Sequence, residues 1–223
     1  MSTITSLKTD KKLARPADVE LATRRRTQAE RVAESDRRML EAAMRLIASQ
    51  GYSQTTLESI GVEAGYSRGL VQHRFGSRDK LLEALIAKIA SDYRERLVPR
   101  VRGLVGMEAL EGEIDSYLDR MDQPPVSSRA FFVLMFESLG PAAQVRHAFA
   151  DISAHWHQSL ARQIAKGQKS GQIRKDVDAG MEAQLLIAAV LGLRLQSMLA
   201  PETSNIARAI AALKADLRRR LAA

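Results

Sequence analysis

From Ser35 onward the apolar residues recur at helical spacing. Leu40, Ala43, Met44 and Ile47 share one face, and Gly51 stands where such a helix would end in the left-handed conformation. Thr55 and Glu58 have the spacing of a capping box, with Leu57, Ile60 and Ala64 as the buried stripe of a second, short helix. Residues 64–67 predict a tight turn, in which Gly65 accepts positive φ and Ser67 caps a third helix. That helix, residues 67–75, offers only Val71 and Phe75 for burial. Gly76 closes it, and Ser77 with Asp79 opens a long helix through Leu81, Leu82, Leu85, Ile86, Ile89 and Leu97. Breaks at 103–106, 124–125, 140–141, 169–178 and Pro201 divide the remainder into about five more helices.

No alternating β-branched pattern occurs, so the fold class is all-α: an N-terminal three-helix unit followed by a larger helical domain, about nine helices in total. The predicted organisation is a basic N-terminal arm over 1–34, a three-helix domain over 35–80 and a larger helical domain over 81–223. The arm carries Arg24, Arg25 and Arg26, which could meet phosphates or a minor groove or could simply lie in a solvated tail.

Charge sharpens this picture. Lys and Arg number 34 against 26 Asp and Glu, a formal charge of +8, and the excess is denser in residues 1–82. Polyanions are the favoured partners. The chain has no cysteine, which excludes a disulfide framework and thiolate chemistry and suits a reducing compartment. Its start lacks the apolar core of a signal peptide, and the apolar run 185–193 is too short to span a bilayer. A cytoplasmic protein is expected, nucleoid-associated when bound to DNA.

Two short helices joined by a glycine-containing turn, braced by a preceding helix, form a helix-turn-helix whose second helix enters the major groove. With Val71 and Phe75 turned inward, Arg68, Gln72, His73 and Arg74 remain for phosphates and base edges, Leu70 for a thymine methyl, and Gly69 lets backbone approach the duplex. One such helix reads few base pairs, so a two-fold dimer on a palindromic site is expected.

The stretch "RRMLEAAMRLIASQGYSQTTLESIGVEAGYSRGLVQHRFGSRDKLLEAL" resembles the DNA-binding domain of the TetR family of bacterial transcriptional repressors. The resemblance rests on Gly51, the Thr55-Thr56 pair, Ile60, the Ala64-Gly65 turn, Ser67, Gly69, Phe75 and a basic residue followed by Leu81. It implies that Thr56 and Ser67 meet phosphates at helix N-termini, that Arg68 lies at the groove and that Arg78 takes a phosphate. Gln72 stands where the family usually has tyrosine, Arg74 where it often has His or Tyr, and Gly61 where alanine is usual.

The resemblance further implies a homodimer formed by the last two helices, here with Leu186, Val190, Leu193, Ile206, Ile210, Leu213 and Leu217 at the interface. It also implies a small-molecule inducer, of identity the sequence does not disclose, in a pocket lined by Tyr117, Met121, Phe132, Met135, Phe136 and Trp156. Such a stripe of aromatic and Met residues also reads as plain core. His147, Asp151 and His155, spaced by four, form a weak metal candidate without a fourth ligand. No catalytic constellation and no cofactor motif is present, so the expected function is that of a ligand-released repressor rather than an enzyme. Its alternatives are a DNA-binding regulator without an inducer and a helical protein with a non-regulatory role.

Overall fold

The computed structural model describes residues 27–119, 125–202 and 205–223. Among them run nine α-helices: α1 Gln28–Gln54, α2 Leu57–Ala64, α3 Arg68–Phe75, α4 Arg78–Val101, α5 Gly106–Tyr117, α6 Val126–Glu137, α7 Arg146–Ser170, α8 Ala179–Leu199 and α9 Ile206–Leu221. A 3-10 turn, Ala143–Val145, precedes α7. The described residues contain no strand, only an isolated bridge between Ile173 and Ala222. The all-α expectation holds.

The chain divides into two compact units, Met1–Arg37 and Arg38–Ala223. In the first, α1 starts earlier than the hydrophobic period suggests. Thr27 Oγ1 accepts from the Glu30 amide at 3.1 Å and Glu30 Oε2 from the Thr27 amide at 2.7 Å, a reciprocal cap eight residues before Ser35. Arg24, Arg25 and Arg26 lie outside the described residues.

The second unit has two apolar centres. Met39, Ile47, Ile60, Val71, Leu82, Leu85, Ile86, Leu134 and Val145 gather α1–α4 with α6 and the start of α7. Leu110, Ile114, Leu160, Ile164, Ala183, Leu186, Val190 and Leu217 gather α5 and α7–α9. Full burial of each such aliphatic side chain contributes about 1.5–3 kcal/mol. Around the second centre, α9 is tied to α5 by Arg218–Glu111 and Lys214–Asp115 and to α8 by Arg220–Glu182. These exposed pairs add little stability. They do neutralise the cations near the C-terminus, which leaves positive charge for a partner elsewhere.

Candidate nucleic-acid interface and ligand site

The short helices are set by their caps. Thr56, not Thr55, caps α2: its Oγ1 accepts from the Ser59 amide at 3.0 Å, and Ser59 Oγ accepts from the Thr56 amide at 2.9 Å. The Thr55–Glu58 box expected from spacing is thus displaced by one residue. Thr55 is buried instead, donating to the Gly51 carbonyl at 2.8 Å, a group exposed by the helix break there. At that break Gly51 takes φ 79 and ψ 173, a glycine conformation but not the left-handed helical one.

Gly65 closes α2 in the left-handed conformation, and Ser67 caps α3, accepting from the Leu70 amide at 3.2 Å. Both α2 and α3 therefore begin at an exposed hydroxyl, with first-turn amides beside it, an arrangement suited to phosphate oxygens. Gly61 explains how closely the two helices approach. A Cβ there would lie 2.8 Å from the Tyr66 carbonyl oxygen and 3.2 Å from the Arg68 nitrogen, so the turn fits against α2 because this position has no side chain.

On α3, Val71 is fully buried, with Phe75 partly buried against the same centre. Leu70 is half-buried, packing partly against that centre. Arg68, Gly69, Gln72 and His73 are exposed, and Arg74 is half-buried. The Gln72 side-chain amide donates to the Gly76 carbonyl, folding it back over the end of the helix. Arg78, at the start of α4, stacks on the Tyr52 ring at 3.7 Å and donates to the Tyr52 carbonyl.

A different chemistry lies where α4, α5, α7 and α8 meet. Tyr117 stacks on Trp156 with ring centroids 4.7 Å apart, and Tyr93 meets Tyr117 edge-on at 5.8 Å. Beside them Glu113 is only 3% exposed, with Ser159 Oγ 3.5 Å from its Oε1. Burial pushes the Glu113 carboxyl above the ordinary carboxylate range, and the nearby Trp156 indole, Ser159 and Arg162 only partly offset this. Burial likewise raises the Tyr93 and Tyr117 hydroxyls and lowers the Arg194 guanidinium. Arg194, 3% exposed, donates to the Tyr117 carbonyl and, at 2.9 Å, to the Asp119 carbonyl. Tyr93 Oη, Glu113 Oε2, Trp156 Nε1 and Arg194 Nη1 are buried without a hydrogen-bond partner among the described residues. Groups so placed are costly unless something else satisfies them.

Two families match different parts of the chain. Bacterial regulatory proteins of the tetR family match residues 39–85, and the family described as "BetI-type transcriptional repressor, C-terminal" matches residues 106–222. The chain belongs to the TetR family of transcriptional regulators. A curated relative, the HTH-type transcriptional regulator BetI 2 of Chromohalobacter salexigens, is 24% identical over 77% of this chain and 81% of its own length. Another, PksA of Bacillus subtilis, is 26% identical over 76% of this chain and 81% of its own. Among solved structures, a transcriptional regulator from Saccharomonospora viridis in complex with choline superposes with a TM-score of 0.74 at 26% identity, covering 86% of this chain and 99% of that one. A TetR regulator from Chloroflexus aurantiacus reaches 0.78 at 21% identity, covering 86% and 98%.

For this TetR-family chain the residues expected to line a pocket fall into two groups. Tyr117 and Trp156 come together, whereas Met135 packs against the N-terminal centre and Phe136 is 47% exposed on α6. Phe132 is buried and tilts against Phe136 at 6.2 Å. Met121 lies outside the described residues. Nothing in the sequence pattern marked Glu113, Arg194 or Ser159.

Of the residues expected at a dimer interface, Leu186, Val190 and Leu217 are instead buried within the chain itself, while Leu193, Ile206, Ile210 and Leu213 are half-buried. What α8 turns outward is Met181, Leu185 and Leu199. The His147, Asp151, His155 candidate does not assemble: each ring Nδ1 is bonded within its own helix region, to the Gln144 and Asp151 carbonyls, and no metal-holding cluster occurs among the described residues.

Proposed function

We propose that the protein is a ligand-released repressor that binds a palindromic operator as a homodimer, with a small organic cation as its ligand. The observation that carries the ligand is the buried Glu113 carboxyl beside the Tyr93, Tyr117 and Trp156 rings. A cation against desolvated aromatic faces gains about 2 kcal/mol, and its charge compensates an ionised Glu113. The choline-bound structural relative supports this class of ligand. On the DNA side, Arg68, Gln72, His73 and Arg74 face the groove, Gly69 allows close approach, and Thr56, Ser67 and Arg78 take phosphates.

A second copy is supported by α8. Its outward face carries Met181, Leu185 and Leu199, and a Cβ on Gly192 would meet nothing within 4 Å, so packing inside the protomer does not require a glycine there. The helix is long and apolar enough to cross a membrane by length and composition, yet it sits in a bundle with an outer face left to cover. Release requires only that the ligand bind the two dimer geometries unequally.

The Tyr117–Trp156 stack favours a second reading, in which the rings are plain core and the regulator has no small-molecule ligand. Fluorescence anisotropy on a duplex recovered by in vitro selection separates the two. Saturating choline chloride should weaken duplex binding at least tenfold, and log-log salt dependence should have a slope of about −6 or steeper. Unchanged duplex affinity in choline, with no heat of choline binding by calorimetry, would favour the ligand-free regulator.

A further inference from the structure

Tyr52 is held from four directions. The break at Gly51 takes the Tyr52 amide out of the helical ladder, and Glu137 Oε2, at the end of α6, accepts from it at 2.7 Å. The Tyr52 carbonyl accepts from Arg78, whose guanidinium lies over the Tyr52 ring at 3.7 Å. Its hydroxyl meets Gln144 Nε2 at 2.6 Å, and the same Gln144 amide reaches Asp79 Oδ1 at 3.0 Å. Thus one tyrosine joins the end of α1 and the first turn of α4 to the α6–α7 junction. Tyr52 is 9% exposed and its own contacts are partly buried, while the Gln144–Asp79 contact is exposed.

Arg78 is the unusual member of this cluster. Its Nε is buried without a hydrogen-bond partner among the described residues. A guanidinium left this incompletely satisfied gains by turning to a phosphate oxygen. Doing so would withdraw it from the Tyr52 ring and carbonyl.

We propose that Tyr52, held by Glu137 and Gln144 and covered by Arg78, is a latch that couples operator engagement at Arg78 to the α6–α7 junction. This rests on the DNA contacts proposed above. Hydrogen exchange with and without a selected duplex tests it. In wild type, duplex should slow exchange at residues 56–76 and also change it at 138–149, which contain no proposed DNA contact. In Gln144→Ala and in Tyr52→Phe, which keeps the ring under Arg78, the change at 138–149 should fall by at least half while that at 56–76 persists.

Glu137→Gln, which retains an acceptor for the Tyr52 amide, should behave as wild type, and Glu137→Ala should uncouple. Loss of the 138–149 response in Tyr52→Phe alone would be enough to keep the proposal if Glu137→Ala does not fold. A wild-type duplex response confined to 56–76, or one at 138–149 unaltered in Gln144→Ala and Tyr52→Phe, would overturn the latch. No response at 56–76 would instead overturn the DNA contacts on which it rests, and the latch with them.

Discussion

Glu113→Gln is expected to abolish the response to choline while raising thermal stability at neutral pH. The glutamine keeps shape and one acceptor but removes the charge, so choline affinity should fall roughly 100-fold, the ~3 kcal/mol that losing one partner of a buried charge pair costs. The stability gain follows from the raised carboxyl. Between the ordinary carboxylate range and the higher folded-state value, the folded chain holds this proton and the unfolded chain does not. Wild-type stability therefore falls as pH rises through that interval, whereas the glutamine variant lacks this dependence. Thermal melts from about pH 4 to pH 7 should show the variant's advantage growing with pH, and choline should restore stability to wild type only. A variant that binds choline as wild type does would remove Glu113 from the ligand site.

Gly61→Ala carries the second large effect. A methyl placed 2.8 Å from the Tyr66 carbonyl has no flexible side-chain end to displace, so the turn and the start of α3 must shift. Overpacking of this kind costs about 1–3 kcal/mol, which lowers the midpoint by about 2–4 °C per kcal/mol in a chain of this size. Operator affinity should fall further than stability alone dictates, because the displaced segment carries Ser67 and Arg68. Calorimetric melts and duplex binding on the same preparation check both. An alanine variant with wild-type affinity and midpoint would show that the α2–α3 approach tolerates the extra methyl.

Much of the reading head was legible because its signals are local. A glycine turn, a capping serine and two inward residues on a short helix are each written within a few positions, and α2, α3 and Ser67 lie where that pattern puts them. The cap of α2 slipped by one because Thr55 and Thr56 are chemically alike, and only the break at Gly51 decides which turns inward. The proposed ligand site was less legible. Glu113 stands in a run with Glu111 and Asp115, and nothing nearby marks it as the one buried among them. Glu111 and Asp115 instead pair with Arg218 and Lys214, about a hundred positions away.

Similarly, α8 is apolar around its circumference, so periodicity could not say whether Leu186 or Leu185 faces inward. The resemblance implied Phe132, Met135 and Phe136 of α6 as pocket wall, but the helical period carries Phe136 to the surface. In each case the missing information was which distant helix covers a given face.

The direct test of the central claim, that α3 reads a DNA sequence, is anisotropy with the selected duplex and a scrambled one at fixed salt. Wild type should prefer the selected duplex by about 10³-fold or more. Arg68→Ala should lose about 1–3 kcal/mol on the selected duplex and little on the scrambled one, while Arg78→Ala weakens both alike. Equal wild-type affinity for the two duplexes, or selectivity unchanged in Arg68→Ala, would contradict it.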